Sequence, residues 1–582
     1  MGPDRRQDSR SIRRALPWVL ISAIVVFDVV AYTYVIESYG TFAESLHAPP
    51  RGFRHLFHVA RNALLLPAIQ VFLALYAPLF ASLLFGAAAY LFLLGQLSYF
   101  GYFNSIPNLA ILKAFYTLGE IKSQLVTQIF GAQQALLLAL LAGSLLATVG
   151  LKWKMPSPPA RAKRVFAFIF LLFAAKIGWA AAFTDIRHYY FVDSVDTLRA
   201  HGYAPVYLVQ LWDTLVGKTQ GRVAFPGKLN GPASAPRNSA GTPRPYNVIF
   251  IQVESLDKGV IDFKAGNEEV APFLDRLADS CLFFPHIFAE HLGGSSSDAE
   301  VSTLTGLIPL KGQPSYLSMK YAEVFSLPRF LDSLGYHSAA FHSFTGRFFH
   351  RATAFRGLGF RDFFDEEAYT GAARGWRSKD SAFLLQTSAR LEGLPRPFFA
   401  YLITLQSHGP YGNHGPSALA FDPAMPAILK DYLASVHEVD RALAAFFSRL
   451  ASAGLLDSTV VFMYGDHWCG VPIPCQAGQR YCLSGMQENI PLFIKVPGKA
   501  ARAIPKVGTD IDFVPTLLDV LGRTDEKRLM GTSLLAPGEG LALMNQDPPK
   551  LIRLDPALGR PVAGALPNSF YRFVEYSNSL LK

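Results

Sequence analysis

Long apolar runs in the front third of this 582-residue chain constrain its fold before any motif is considered. The first covers about residues 15–36 and follows a basic cluster of Arg5, Arg6, Arg10, Arg13 and Arg14. A hydrocarbon core about 30 Å thick takes roughly 20 apolar residues of helix, so this run is long enough to span it. It is too long for the core of a signal peptide, and no small-residue cleavage site follows it. Residues 62–103 are almost continuously apolar, about twice the length of one span. Pro78 stands near the middle, where a fixed φ and a missing N–H interrupt a helix, so the run divides into two. Residues 133–149 and 165–183 bring the number of spans to five. Residues 1–184 are thus expected to form an α-helical five-span membrane domain, since only helices and closed barrels satisfy their backbone groups in lipid.

Basic residues in short loops set the orientation of such a domain. The arginine-rich N-terminus and the loop bearing Lys152, Lys154, Arg161, Lys163 and Arg164 fall on one side when five spans are counted, and that side is the cytoplasm. Everything after the fifth span then lies on the periplasmic or extracellular face of a bacterial inner (cytoplasmic) membrane. Arg51, Arg54, Arg61, His55 and His58 would also lie outside, against anionic headgroups, and residues 104–127 would rest on the interface as an amphipathic helix. This topology accounts for the formal net charge of +10. The basic residues flank apolar spans and form no separate basic module, which argues against a nucleic-acid partner. Three of the four cysteines, Cys469, Cys475 and Cys482, share one short segment. Two of them can form a disulfide outside the cytoplasm, in a pairing the sequence leaves open, and their spacing does not resemble a zinc site.

Residues 185–245 form a connector, of which 218–245 are rich in Gly, Pro, Ser, Ala and Asn and have the character of a linker. From residue 246 the pattern changes. Short apolar runs at 247–253, 336–341, 398–405 and 459–464 alternate with helical stretches at 270–280, 326–334, 382–392 and 429–453. Strands separated by helices predict an extracytoplasmic α/β domain, 246–540, with a mostly parallel central sheet covered on both faces. Residues 541–582 make a C-terminal tail whose aromatics, Phe570, Tyr571, Phe573 and Tyr576, are suited to packing against the domain or the interface.

In sheets of this kind the chemistry gathers beyond the carboxyl ends of the strands. The first strand runs into Glu254, the second into His342, the third into Ser407-His408 and the fourth into Gly465-Asp466-His467. Between the first two lies Gly293-Gly294-Ser295-Ser296-Ser297-Asp298-Ala299-Glu300, a glycine turn that passes into a helix start, where free N–H groups and the dipole face an anion. Singly, each has an ordinary explanation as a cap, a turn residue or a satisfied histidine. Four such strand ends on one sheet edge do not. Carboxylates and imidazole suit a divalent cation, Mn or Zn and less readily Mg. A cation held by Glu254, Asp466 and His467 would favour the alkoxide of a neighbouring serine. His342, His408 and Arg351 would stand where charge develops on the phosphoryl oxygens or the leaving group. The chemistry indicated is attack on a phosphoester or phosphodiester through a covalent seryl–phosphoryl intermediate.

The stretches NVIFIQVES, EVAPFLDRLA, GGSSSDAE, AAFHSFTGRFFHR, FAYLITLQSHGPY, LLDSTVVFMYGDH and DIDFVPTLLDVLG occur in order over residues 246–522. As a set they resemble the alkaline phosphatase/sulfatase superfamily and, more narrowly, its lipoteichoic acid synthase and phosphoglycerol transferase branch, which also carries five spans before the domain. The resemblance implies that Glu254, Ser296, Asp466 and His467 bind one metal, Mn before Mg or Zn, and that Ser296 is the nucleophile. It places His342, Arg351, His408 and the Phe349 position on the phosphoglycerol group. It implies a phosphatidylglycerol donor, release of diacylglycerol, and transfer to a glycan or glycerol-bearing acceptor. Phosphoethanolamine transfer and plain phosphodiester hydrolysis use the same site. This chain departs from the pattern in having Ser296 where the lipoteichoic acid branch usually has Thr, and Phe349 where those synthases have Trp. The Trp468-Cys469 continuation also differs, and no C-x-P-x-R sequence of a formylglycine sulfatase occurs.

Overall fold

The computed structural model describes residues 4–44, 59, 62–103, 106–109, 131–155, 160–183, 194–216, 223–229 and 246–581, apart from 291, 293, 372, 484, 524–528 and 545–548. Two compact units result, one drawn from residues up to 218 and one from 219 onward. In the first, every expected span falls in a helix: Asp4–Glu44, Leu65–Tyr76, Leu79–Phe103, Ala132–Lys154 and Ala160–Phe183. The break between the second and third lies at Ala77-Pro78, where the proline predicted it. Among the described residues three stretches are long and apolar enough to cross a membrane, Ala15–Ser38, Leu79–Phe100 and Ala132–Lys154, so a count of three is supported and five is not established. The Leu65–Tyr76 helix, at 12 residues, rises only about 18 Å. Polar side chains join these helices. Asp28 Oδ1 accepts from Tyr90 Oη at 3.1 Å and Ser144 Oγ at 2.7 Å, and Gln70 Nε2 donates to Thr148 Oγ1 at 3.1 Å. Such bonds substitute for the hydrophobic drive that lipid withholds. Most of the amphipathic helix expected at 104–127, and the basic residues Arg51, Arg54, His55, His58 and Arg61, lie outside the described residues.

The second unit is built on a nine-stranded sheet. Its strands, in chain order, are β1 (Asn247–Val253), β2 (Leu282–Phe288), β3 (His337–His342), β4 (Asp362–Phe364), β5 (Phe398–Ile403), β6 (Thr459–Gly465), β7 (Asn489–Lys495), β8 (Arg502–Ala503) and β9 (Gly508–Thr509). Spatially they run β8-β2-β7-β6-β1-β5-β3-β4, with β9 also on β2. Every ladder is parallel except those of β7 with β2 and β6. The four strands read from the sequence are therefore the parallel centre, β6-β1-β5-β3. All seven residues of β1 and of β6 are buried, as expected of strands covered on both faces. Ile249, Ile251 and Val253 join the core beneath the helices Pro272–Ser280, Asp380–Glu392 and Ala427–Ser452. On the opposite face Phe250 stacks on Phe462 with ring centroids 4.8 Å apart.

The ends of this unit pack on it. Leu229 N donates to Met530 O at 2.8 Å, the Phe225 ring meets Tyr576 at 5.4 Å, and Ile308 N donates to Ser577 Oγ at 3.0 Å. Residues 225–229, which the composition assigned to a linker, are thus fixed to the sheet unit. So are residues of the tail, which forms a three-stranded antiparallel sheet and the helix Tyr571–Leu581. The disulfide left open in the sequence joins Cys475 to Cys482, and Cys469 is a buried free thiol.

At the end of β6 the chain passes so close to the exit of β1 that a Cβ on Gly465 would lie 2.0 Å from the Leu256 carbonyl oxygen. No side chain fits without moving backbone. Gly465→Ala should cost about 1–3 kcal/mol or more, seen as a lowered midpoint for the sheet unit in thermal unfolding of the full chain. An unchanged midpoint would show that this contact is not as close as described.

Candidate active site

Register brings the site together. β1 and β6 pair in parallel with Val253 opposite Gly465, so Glu254 and Asp466, the next residue of each, emerge side by side at the carboxyl edge. β5 sets Ile403 opposite Gln252 on one side and opposite His342 on the other. With strands about 4.8 Å apart, acid and imidazole groups from four neighbouring strands, β6, β1, β5 and β3, meet along one short edge.

The helix Ser296–Thr305 places its N-terminus there. Its preceding turn is held tightly. Ser297 Oγ donates to Gly294 O at 2.7 Å, and Asp298 Oδ2 accepts from Leu292 N and Gly294 N at 2.9 Å each. A Cβ at Gly294 would strike Asp298 Oδ1 at 2.2 Å, so this position requires glycine. Ser295 takes φ 50°, a left-handed value rare outside glycine and a form of strain that gathers at functional sites. Gln252 Nε2 donates to Ser296 O at 3.1 Å and anchors the helix to β1. These bonds occupy Ser297 with its own turn. Ser296 Oγ instead donates to Glu254 Oε2 at 2.9 Å and lies 3.4 Å from His467 Nε2.

Around that oxygen the groups are buried and mutually close. His467 Nε2 is 3.4 Å from Glu254 Oε1 and 3.6 Å from Asp466 Oδ2. Asp466 Oδ1 accepts from Ser255 N at 2.7 Å and His467 N at 2.9 Å, and Ser255 Oγ donates to Glu254 Oε1 at 2.8 Å. His467 Nδ1 lies 2.8 Å from the Trp468 carbonyl, which accepts its proton and leaves Nε2 facing the carboxylates. One ligand atom from each of Glu254, Asp466 and His467 lies within 4.8 Å of the others. The electrostatics favour positive charge among these groups. Burial and the neighbouring Glu254 raise Asp466 to about 7. Burial opposes ionisation of Glu254, but the imidazoles of His408 and His467 outweigh it and hold its carboxyl below the usual range. Burial disfavours a charged His467, yet Asp466 and Glu254 raise it to about 10, so a proton supplies the compensating charge. Two carboxylates, an imidazole and a hydroxyl are a donor set suited to a hard or borderline divalent cation.

The remaining predicted residues stand around this cluster. His342 donates from Nδ1 to Ile403 O at 3.1 Å. Burial and the nearby Arg351 push it down to about 3, so it is neutral and presents Nε2. Its titration also responds to Glu254 and His408. His408 is held by the adjacent Gly409 carbonyl at 2.6 Å and by Trp376, whose ring centroid is 4.4 Å away. Arg351 is buried and forked onto Glu300, with Nε to Oε1 at 2.9 Å and Nη2 to Oε1 at 2.7 Å. Phe349 does not join the polar cluster in the same way. It is buried with its ring 4.2 Å from Phe348, next in line to an aromatic group in which Phe344 packs on Trp376 at 4.3 Å. Sequence reasoning missed Glu300, Trp376, Gln252 and Ser255. Glu300 was accessible in principle, being one helical turn beyond Ser296. Trp376 was not, because it arrives on a short turn, Gly375–Arg377, that carries no periodic signal.

A serine hydroxyl on paired carboxylates and an imidazole, at the carboxyl edge of a mostly parallel sheet, is an arrangement suited to nucleophilic attack assisted by a divalent cation. Residues 246–523 match the sulfatase family model. Lipoteichoic acid synthase 2 of Bacillus subtilis is 30% identical over 302 residues, 49% of this chain and 46% of its own. Lipoteichoic acid synthase of Staphylococcus aureus is 27% identical over 316 residues, 51% of this chain and 49% of its own. The chain thus spans about half the length of these curated relatives. Among solved structures, the lipoteichoic acid synthase LtaP of Listeria monocytogenes shares the fold at TM-score 0.51 and 22% identity, covering 60% of this chain and 94% of its own. The phosphoethanolamine transferase EptA of Neisseria meningitidis does so at TM-score 0.53 and 13% identity, over 89% of this chain and 98% of its own.

Because His467 is held near 10 in the metal-free site, a metal that takes its Nε2 must displace a proton at neutral pH. Mn affinity should therefore rise about tenfold per pH unit between about 7 and 10 and more steeply below about 7, where Asp466 also carries a proton, and titration calorimetry at pH 8.5 in buffers of different ionisation enthalpy should record about one proton released. Ser255→Ala, which removes a donor to Glu254, should weaken the affinity about 10- to 100-fold. Binding without proton release would contradict this charge arrangement.

Proposed function

We propose that the protein is a membrane-anchored, metal-dependent phosphoglycerol transferase that moves glycerophosphate from phosphatidylglycerol through Ser296 to an extracytoplasmic hydroxyl. The observation that carries this is the Ser296 hydroxyl donating at 2.9 Å to Glu254, with His467 at 3.4 Å. The likeness to lipoteichoic acid synthases supports the choice of donor.

In the first step Ser296 Oγ loses its proton and forms a bond to phosphorus, while the bond from phosphorus to the diacylglycerol oxygen breaks and that oxygen leaves protonated. In the second, an acceptor hydroxyl forms the new P–O bond, and Ser296 Oγ leaves and regains a proton. Glu254, Asp466 and His467 would hold a divalent cation, Mn in preference to Mg or Zn, whose charge favours the serine alkoxide. Neutral His342, His408 and the Arg351 guanidinium face the phosphoglycerol group, where charge grows in the transition state. The aromatic wall of Phe349, Phe348 and Trp376 borders that space. Three long apolar helices anchor the chain, and the Cys475–Cys482 disulfide suits a catalytic unit on the periplasmic or extracellular side. The basic, Ala- and Arg-rich composition points to a Gram-negative host and a periplasmic glucan as the acceptor glycan.

A phosphoethanolamine donor is the second reading. The fold shared with a phosphoethanolamine transferase over 89% of this chain favours it. Full-length protein in detergent with Mn and either phosphatidylglycerol or phosphatidylethanolamine separates the two. Phosphatidylglycerol should yield diacylglycerol, and Ser296→Ala should slow this by roughly 10³-fold or more. Faster release from phosphatidylethanolamine would reassign the donor, and release from neither would end the transferase proposal.

A further inference from the structure

We propose that Glu300 is a positioning residue: it holds the Arg351 guanidinium in register with the Ser296 hydroxyl, so that one short helix sets both nucleophile and phosphate clamp. This rests on the transferase function proposed above and assigns a role to a residue outside the predicted site.

Glu300 follows Ser296 by four residues in the helix Ser296–Thr305, a spacing that puts both on one face. Its side chain is wholly inaccessible and that of Arg351 is 3% exposed, so the pair is removed from water. Arg351 Nε lies 2.9 and 3.1 Å from the two Glu300 oxygens, and Nη2 lies 2.7 Å from Oε1. A planar fork engaged along one edge has little rotational freedom left. Tyr316 Oη donates to Glu300 Oε2 at 3.0 Å and fixes the carboxylate from the other side. Arg351 Nη1 is left buried with no partner among the described residues. A pair serving stability alone has no reason to leave a buried cationic donor unmet, since this is costly. A donor reserved for a phosphoryl oxygen does.

The approach to Arg351 is strained in a way that fits. Phe349 and His350 take φ 52° and 57°, two consecutive left-handed residues with large side chains, just before the helix Arg351–Leu358 begins. The backbone is bent to deliver Arg351, and Glu300 receives it.

A double-mutant cycle on full-length protein with phosphatidylglycerol in detergent micelles tests this. Glu300→Gln should lower kcat/KM about 10- to 100-fold through a misplaced guanidinium, and Arg351→Gln by at least as much. If Glu300 acts through Arg351, adding Glu300→Gln to Arg351→Gln should change kcat/KM by less than about 3-fold. A full multiplicative loss in the double variant would overturn the proposal. Glu300→Asp keeps the buried counter-charge but withdraws both oxygens by one methylene, and carries the same cycle if Glu300→Gln does not fold. Its expected result is the same loss of kcat/KM with a near-native unfolding midpoint, and wild-type kcat/KM in the Asp variant would also overturn the proposal. Should wild-type protein release no diacylglycerol, the transferase function fails separately. The cycle is then read on calorimetric binding of glycerol phosphate, where the same non-additivity is expected and additivity refutes the role.

Discussion

Two carboxylates buried side by side, Glu254 and Asp466, are the constraint to which the rest of the catalytic unit answers. At separations up to 4.8 Å and an effective dielectric near 20, two such charges repel by about 3–4 kcal/mol. No fold holds that arrangement idly. In the metal-free protein the repulsion is offset by a proton on His467 and a partial one on Asp466. A divalent cation supplies the same charge with coordination as well, and it does so beside the one hydroxyl of the Ser295–Ser297 string that donates to Glu254.

The sheet converts this local requirement into a geometry. Parallel pairing of β1 with β6 fixes the Glu254–Asp466 distance by register alone, and a one-residue slip would turn one of them to the opposite face. The tight passage at Gly465 and the Ser255 N–H bond to Asp466 lock the two strand exits together. Gln252, on the face away from the aliphatic core, reaches both the Ser296 carbonyl and Asp466. The nucleophile's helix is therefore placed by the same strand that supplies a carboxylate. Aromatic packing on that face, with Tyr401 Oη on Gln252 Oε1 at 2.6 Å, keeps the amide in place.

Much of this was legible in the residues. Near-continuous apolar runs marked β1, β3, β5 and β6, and Pro78 located a helix break. Each of the four strand ends carried its acid or histidine openly. Five strands of the sheet were not legible, and three of them, β4, β8 and β9, are only two or three residues long. β2 contains Pro285 at a register shift between Phe284 and Ile287, and β7 contains Pro491, and a proline argues against a strand from sequence alone. Both are buried, and β7 is the antiparallel member that local alternation of strand and helix does not announce. Of the five expected spans, three fall on described helices long and apolar enough to cross a membrane, and the helix Leu65–Tyr76 is only 12 residues long. The Glu300–Arg351 fork was hidden for another reason: the two residues are 51 apart in the chain, and only tertiary structure joins them.

The central claim, that Ser296 carries the transferred group, is tested most directly by mass spectrometry of the peptide containing it. Full-length protein is mixed with Mn and phosphatidylglycerol, quenched before acceptor is added, and digested. The expected result is a glycerophosphoryl adduct on Ser296, absent from Ser296→Ala and discharged by acceptor. An adduct on Ser295 or Ser297, or diacylglycerol release with no adduct at all, would contradict it.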